Sequence, residues 1–225
     1  NIYCSHYIDN PWGNVKFYVP KIGDKKKLVD LSLKNAKQTL FDLKKSKINQ
    51  LSKKSVCRVL AQLQRDLNLV ALPKHIECFD NSNLQGTNPI SACVVFKNGI
   101  PSKKEYRYFN VKTVSGPDDY TSMQEVVYRR YLSLLEKKKN LPDLIIVDGG
   151  KGQLSSAIKS LKKLKLVNKV AIIGIAKRLE EIYFPKDRVP LYLDKRSESL
   201  KLIQRLRDEA HRFSITKHRN KRSKI

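Results

Sequence analysis

Cysteine is sparse, and Cys4, Cys57, Cys78 and Cys93 form no C-x-x-C pair. That spacing excludes a zinc knuckle and a disulfide framework, leaving free thiols expected to be buried. No apolar run reaches the ~18 residues a membrane span requires, and no secretory signal opens the chain, so a soluble, intracellular protein with no membrane partner is expected. Acidic residues are scarce as well: 21 Asp and Glu stand against 46 Lys and Arg in 225 residues, a formal charge of +25. Such an excess repels itself unless a polyanion lies against it, and nucleic acid is the partner this implies. The chain also lacks an initiator Met and is expected to be a piece of something longer. Around Lys151, Gly149, Gly150 and Gly152 lack the earlier glycine and the following Ser or Thr of an ATP-binding loop, which excludes that reading.

What is present divides into three parts: a mainly helical accessory region over 1–72, an α/β domain over 73–216 and a basic tail over 217–225 that is expected to fray. Residues 25–69 carry leucines and other apolar residues at helical spacing (Leu28, Leu31, Ala36, Leu40, then Val56, Leu60, Leu63, Leu67). Leu72-Pro73 closes this region, since a residue before proline disfavours helix. From His75 the pattern turns to strands over 75–80, 91–97 and 104–110, joined by short links that suggest an antiparallel meander. In the first of these, alternation puts Ile76, Cys78 and Asp80 on one face and Glu77 and Phe79 on the other. A helix over 120–138 follows, which either Asp118 or Asp119 is placed to cap.

The segment LPDLIIVDGGKGQL, residues 141–154, is the centre of the chain. Residues 144–147 are a short, β-branched apolar run suited to a buried strand. Asp148 ends it, Gly149 and Gly150 are expected to turn with positive φ, and helical spacing resumes over 151–164. Reacting groups in open α/β sheets gather at the carboxyl ends of strands, which is where Asp148 falls. A further strand over 170–175, a hairpin of 181–184 with 191–193, and a last helix over 197–214 with His211 beside its apolar stripe complete the domain.

Antiparallel strands, a helix and then alternating parallel strands and helices resemble the ribonuclease H fold: a mixed sheet flanked by helices. In that fold the first and fourth strands are neighbours, so the resemblance implies that Asp80 and Asp148 face each other. Two such carboxylates repel unless a cation shares them, and hard oxygen ligands favour Mg²⁺ or Mn²⁺. His211 is then placed to complete the metal sphere or to act as a general acid or base.

Five segments sharpen the resemblance: ECFDNSN from Glu77, GPDDYTSM from Gly116, IVDGGKGQL from Ile146, IGIAKRLEEIYFP from Ile173 and RDEAHRFSITKHR from Arg207. In order and spacing they are similar to the C-terminal half of the UvrC family, the incision subunit of bacterial nucleotide excision repair. The resemblance implies a metal-dependent DNA endonuclease that makes the 5′ incision beside a lesion, on damaged double-stranded DNA carrying UvrB, in the bacterial cytoplasm. Carried over, the family's essential carboxylates fall on Asp80, Asp119 and Asp148, and its essential histidine on His211; Asp80, Asp148 and His211 are the expected metal ligands. Family members commonly read D-I-S-H where this chain has Asp80-Asn81-Ser82-Asn83, so a histidine is replaced by Asn83. The GIY-YIG nuclease, the UvrB-contacting segment and the helix-hairpin-helix module of that family are expected to lie outside this piece. Lys151 with the backbone N–H groups of its helix start is placed to hold a DNA phosphate, and Arg107, Arg129, Arg130, Lys177, Arg178, Arg207 and Arg212 are further candidate phosphate contacts. An enzyme resembling endonuclease V is the nearest enzymatic alternative, and a non-catalytic basic DNA-binding module the alternative from another class.

Overall fold

The computed structural model describes the chain except for residues 8–15, 83–89, 112–117, 178–179 and 223–225; side chains of 41–54, 82, 90 and 217–222 are also outside the description. Two compact units divide at Ser55 and Val56. In the first, β1 (Ile2–Tyr3) pairs in parallel with β2 (Phe17–Tyr18), and α1 (Gly23–Asp66) begins. Leu28, Leu31 and Leu40 remain exposed there, contrary to the inward stripe expected from their spacing. Spacing fixes which residues share a face, whereas burial needs a partner surface. In the second unit the last turns of α1 have one: Leu60, Leu63 and Leu67 are buried in the core.

That core lies on both faces of a seven-stranded sheet ordered β5-β4-β3-β7-β8-β9, with β6 also paired to β4. Its strands are β3 (His75–Ser82), β4 (Ile90–Lys97), β5 (Ile100–Pro101), β6 (Arg107–Asn110), β7 (Leu144–Asp148), β8 (Ala171–Ala176) and β9 (Glu181–Tyr183). β3, β7 and β8 run parallel, and β4 and β9 are antiparallel to their neighbours. The mixed ribonuclease H-like architecture expected from the sequence is therefore the one observed. Helices α2 (Asp119–Glu136), α3 (Lys151–Lys163) and α4 (Glu198–Arg222) flank it. The central strands are rich in Val and Ile and fully buried, as strands covered on both faces must be.

Local chemistry moves several boundaries. The strand expected over 104–110 begins only at Arg107, because residues 103–105 form a 3-10 turn in which the Ser102 hydroxyl and Lys97 both bond Glu105. The hairpin partner of β9 is reduced to a single bridge, Ile182 to Leu191; Pro190 beside it has no N–H to extend the ladder. Helix α4 runs into the basic segment as far as Arg222, and residues 223–225 of that segment lie outside the described residues. Cys4, Cys78 and Cys93 are buried as expected, but Cys57 is exposed, on a turn of α1 whose apolar neighbours Val56 and Leu60 face the core.

An ion pair sits inside this sheet packing. Glu77, wholly buried, accepts from Arg130 Nε at 3.2 Å and from Arg130 Nη2, and its second oxygen also accepts from the Tyr131 hydroxyl at 3.0 Å. Burial pushes the Glu77 carboxyl up, but hydrogen bonds and charge from His75 and Arg130 more than reverse this and hold it below the usual range. Arg130 is thus committed to the core and is corrected from a candidate DNA contact to the counter-charge of a buried acid that cannot stay ionised alone. Removing one partner strands the other's charge, so Arg130→Met is expected to lower stability by about 3–5 kcal/mol. The double variant Glu77→Gln with Arg130→Met should recover part of that loss, as read by urea unfolding at neutral pH.

Candidate functional site

Parallel pairing of β3 with β7 sets the site. Phe79 lies opposite Val147 in the last pair of the ladder, so the next residue of each strand, Asp80 and Asp148, follows where the pairing stops, at the end of β7 and two residues before the end of β3. Both side chains are only 4% exposed. Asp148 then leads into a turn in which Gly149 N–H donates to Ile175 C=O at 2.9 Å before α3 begins. The expected positive φ is absent: Gly150 has φ −79°, and the only glycines with positive φ among the described residues are Gly23 and Gly99. Close approach is the reason for glycine here. A Cβ on Gly149 would meet the Gln153 side chain at 2.7 Å, and one on Gly174 of β8 would meet the Gly149 carbonyl oxygen at 2.8 Å.

The remaining candidates arrive from three directions. His211 on α4 places Nδ1 3.4 Å from Asp80 Oδ2. Lys177, just past β8, places Nζ 3.5 Å from Asp148 Oδ2. Asp119 opens α2, and its backbone carbonyl accepts from Asn81 Nδ2 at 3.0 Å, which ties the start of that helix to the strand residue after Asp80. The cap is Asp118, whose Oδ1 accepts from the N–H groups of Tyr120 and Thr121, each at 3.0 Å. Asp119 is therefore not the capping residue.

Of the other candidate phosphate contacts, most are already engaged. Lys151 donates to the Arg188 carbonyl and lies over the Tyr183 ring. Arg107 bonds the carbonyls of Lys104 and Tyr106. Arg129 bonds Glu125 and the Asn110 carbonyl. Arg207 bonds Glu180 through both carboxylate oxygens, and Arg212 does the same with Glu209. Arg178 and Asn83 lie outside the described residues.

Asp148 Oδ2 is a buried oxygen with no hydrogen-bond donor among the described residues. An acceptor in that state is stabilised by a proton or a cation. Hard carboxylate oxygens suit Mg²⁺ or Mn²⁺, and Mg²⁺ typically takes one or two carboxylates and completes its shell with water and phosphate oxygens. Among the described residues no group of three or more His, Cys, Asp or Glu is placed to hold a metal ion, so the expected set of Asp80, Asp148 and His211 is not brought together as three ligands.

The buried ion pair of Glu77 and Arg130 is not among the sites expected from the sequence, where Arg130 is a candidate phosphate contact. The available signal was Glu77 itself, an acid in a strand otherwise apolar from Ile76 to Phe79. Burial first, then the charge of Asp80, pushes Asp148 up to about 6, against the opposing pull of Lys177 and Arg207. Because this lies above its ordinary 3.8, the contribution of the group to stability is full below about pH 4 and is lost as pH rises through about 6. In metal-free protein, Asp148→Asn is expected to raise the urea midpoint at pH 7.5 and to leave it nearly unchanged at pH 4. A parental midpoint that ignores pH across this window would contradict the assignment.

Residues 64–215 match the family model described as the UvrC RNAse H endonuclease domain. The chain is 63% identical over 212 residues to UvrABC system protein C of Flavobacterium johnsoniae, covering 94% of this chain and 35% of that protein. It is 64% identical over 211 residues to the protein of the same name from Christiangramia forsetii, covering 93% and 35%. The chain thus spans about a third of the length of these relatives. Endonuclease V of Ciona intestinalis in complex with an inosine-containing 24mer DNA aligns at 21% identity over 73% of this chain and 69% of that one, with a TM-score of 0.36, too loose a likeness to bear on function. By the extent of the domain match and the identity to these relatives, the chain belongs to the UvrC ribonuclease H endonuclease-domain family.

Proposed function

We propose that this chain is the metal-dependent DNA endonuclease part of a bacterial excision nuclease, making the 5′ incision beside a lesion when DNA is presented with UvrB. The observation that supports the reading is the convergence of Asp80 and Asp148, with Asp148 Oδ2 buried, without a hydrogen bond among the described residues, and facing only the Lys177 ammonium at 3.5 Å. Asp80 and Asp148 hold Mg²⁺ or Mn²⁺, with His211 completing or servicing the set. When bound, such an ion lowers the pKa of a water and stabilises charge on the scissile phosphate. His211, with its side chain 45% exposed, has a face open to substrate and is positioned to hold or move a proton at the leaving oxygen. Asp119, whose backbone is tied to Asn81 beside Asp80, is the third carboxylate of this reading. Lys177 lies between the pair and solvent, where a phosphate oxygen can take it over from Asp148.

The basic excess of the chain supports a polyanionic substrate. No described helix is long and apolar enough to cross a membrane, in keeping with the proposed cytoplasmic setting. The relatives' name supplies the repair context.

Two outcomes test this. Asp148→Asn in the full-length protein, assayed on a lesion-bearing duplex with the other repair proteins present, is expected to slow 5′ incision by about 100-fold or more while DNA binding is kept. Unchanged incision would favour a non-catalytic DNA-binding module, and nicking at a deaminated base without partner proteins would favour an endonuclease V-like enzyme. Duplex affinity of this chain should fall by about 10³-fold or more between about 50 and 200 mM salt if six or more phosphates are neutralised; a flat titration would remove DNA as the partner of the basic surface.

A further inference from the structure

His211 stands on a helix that crosses the sheet, and its usefulness depends on where along the sheet that helix is stopped. The ladder supplies a ruler. Asp80 pairs with Ala92 on β4, and Ala92 pairs with Tyr108 on β6. Side chains of directly paired residues share a face, so Asp80, Ala92 and Tyr108 stand in one row under α4. Ala92, fully buried, is the small residue in the middle. At one end of the row His211 meets Asp80. At the other, the Tyr108 hydroxyl donates to the Phe213 carbonyl at 2.9 Å, and the two rings stack with centroids 3.8 Å apart.

Tyr106 adds a second hold on the other side of His211. Its hydroxyl donates to Glu209 at 3.1 Å, and its ring meets Phe213 edge-on at 5.0 Å. Arg212 fixes the Glu209 carboxylate from the same turn with two bonds of 2.7 Å. The anchors at 209 and 213 therefore bracket position 211, and both attach to one short edge segment. Neither tyrosine touches Asp80 or Asp148 in any described bond. Their attachment explains why two aromatic residues with bonded hydroxyls sit on this edge, a feature that packing alone would satisfy with apolar side chains.

We propose that Tyr106 and Tyr108 are positioning residues that clamp α4 from both sides of His211 and so set the imidazole over Asp80. The inference rests on the reading of His211 as part of the metal and proton machinery. Displacements of about 1 Å from distant substitutions are enough to cost about 100-fold in rate, so a clamp at this distance has leverage on the chemistry without joining it.

The test is a double-mutant cycle with two readouts: Mn²⁺ affinity of this chain by calorimetry, and 5′ incision by the full-length protein. Tyr106→Phe with Tyr108→Phe keeps both rings and removes both anchoring hydroxyls; Tyr108→Leu removes the stack as well. Each is expected to weaken Mn²⁺ binding three- to tenfold and to slow incision by at least as much, with circular dichroism showing an intact fold. In a His211→Ala background the same changes are expected to have no further effect on either readout, since a positioning role disappears with the group it positions. Equal effects in both backgrounds, or none in the parent, overturn the clamp alone. A His211→Ala variant with parental Mn²⁺ affinity and incision overturns the reading of His211 and the clamp with it.

Discussion

Two carboxylates at the ends of parallel strands, buried side by side, set the terms for the rest of this structure. Their mutual repulsion is unfavourable for folding and is tolerated because the β3–β7 register is enforced by the buried ladder of Ile76, Cys78 and Phe79 against Leu144, Ile146 and Val147, with the ion-paired Glu77 the one charged rung. A slip of one residue would send the whole apolar set to the wrong face. The placement of the acid pair is thus inherited from strand pairing rather than from any contact that the acids themselves make.

The two faces of β3 handle charge in opposite ways. Towards α2, Glu77 is given a full complement of donors and a permanent counter-charge. Towards α4, Asp80 and Asp148 receive only a histidine and a half-exposed lysine at ion-pair distance, the latter without a hydrogen bond to Asp148 Oδ2. The difference is one of exchangeability. A guanidinium locked in the core cannot be displaced by substrate, whereas partners on long, solvent-facing side chains can.

Much of this was legible in the sequence because it follows from periodicity and order. The alternation in ECFD placed Asp80 opposite Glu77, and the apolar run before Asp148 gave its strand end. That the two strands are neighbours followed from the resemblance to the ribonuclease H fold rather than from either segment. What was not legible depends on contacts between distant segments. Nothing in the residues around Arg130 says that its guanidinium turns inward, since an arginine on a helix has the same local pattern whether it meets water or a buried acid. Which of two adjacent aspartates caps α2 depends on the residue at which the helix begins, and the glycines after Asp148 suit a positive φ by sequence whereas Gly149 serves to let Gln153 and β8 come near. The pairing of Tyr106 and Tyr108 with a helix about a hundred residues away in sequence leaves no local trace.

The last turns of α1 carry a practical consequence. A proline after a helical stretch invites a cut there when a smaller piece of the protein is wanted for expression. Such a piece would lack Leu60, Leu63 and Leu67, each within a few per cent of full burial, and would present a bare apolar trough where they had been. Sticky, poorly soluble material would follow, and it would say nothing about the nuclease. The helix that looks like a tether is, over its final three turns, part of the wall.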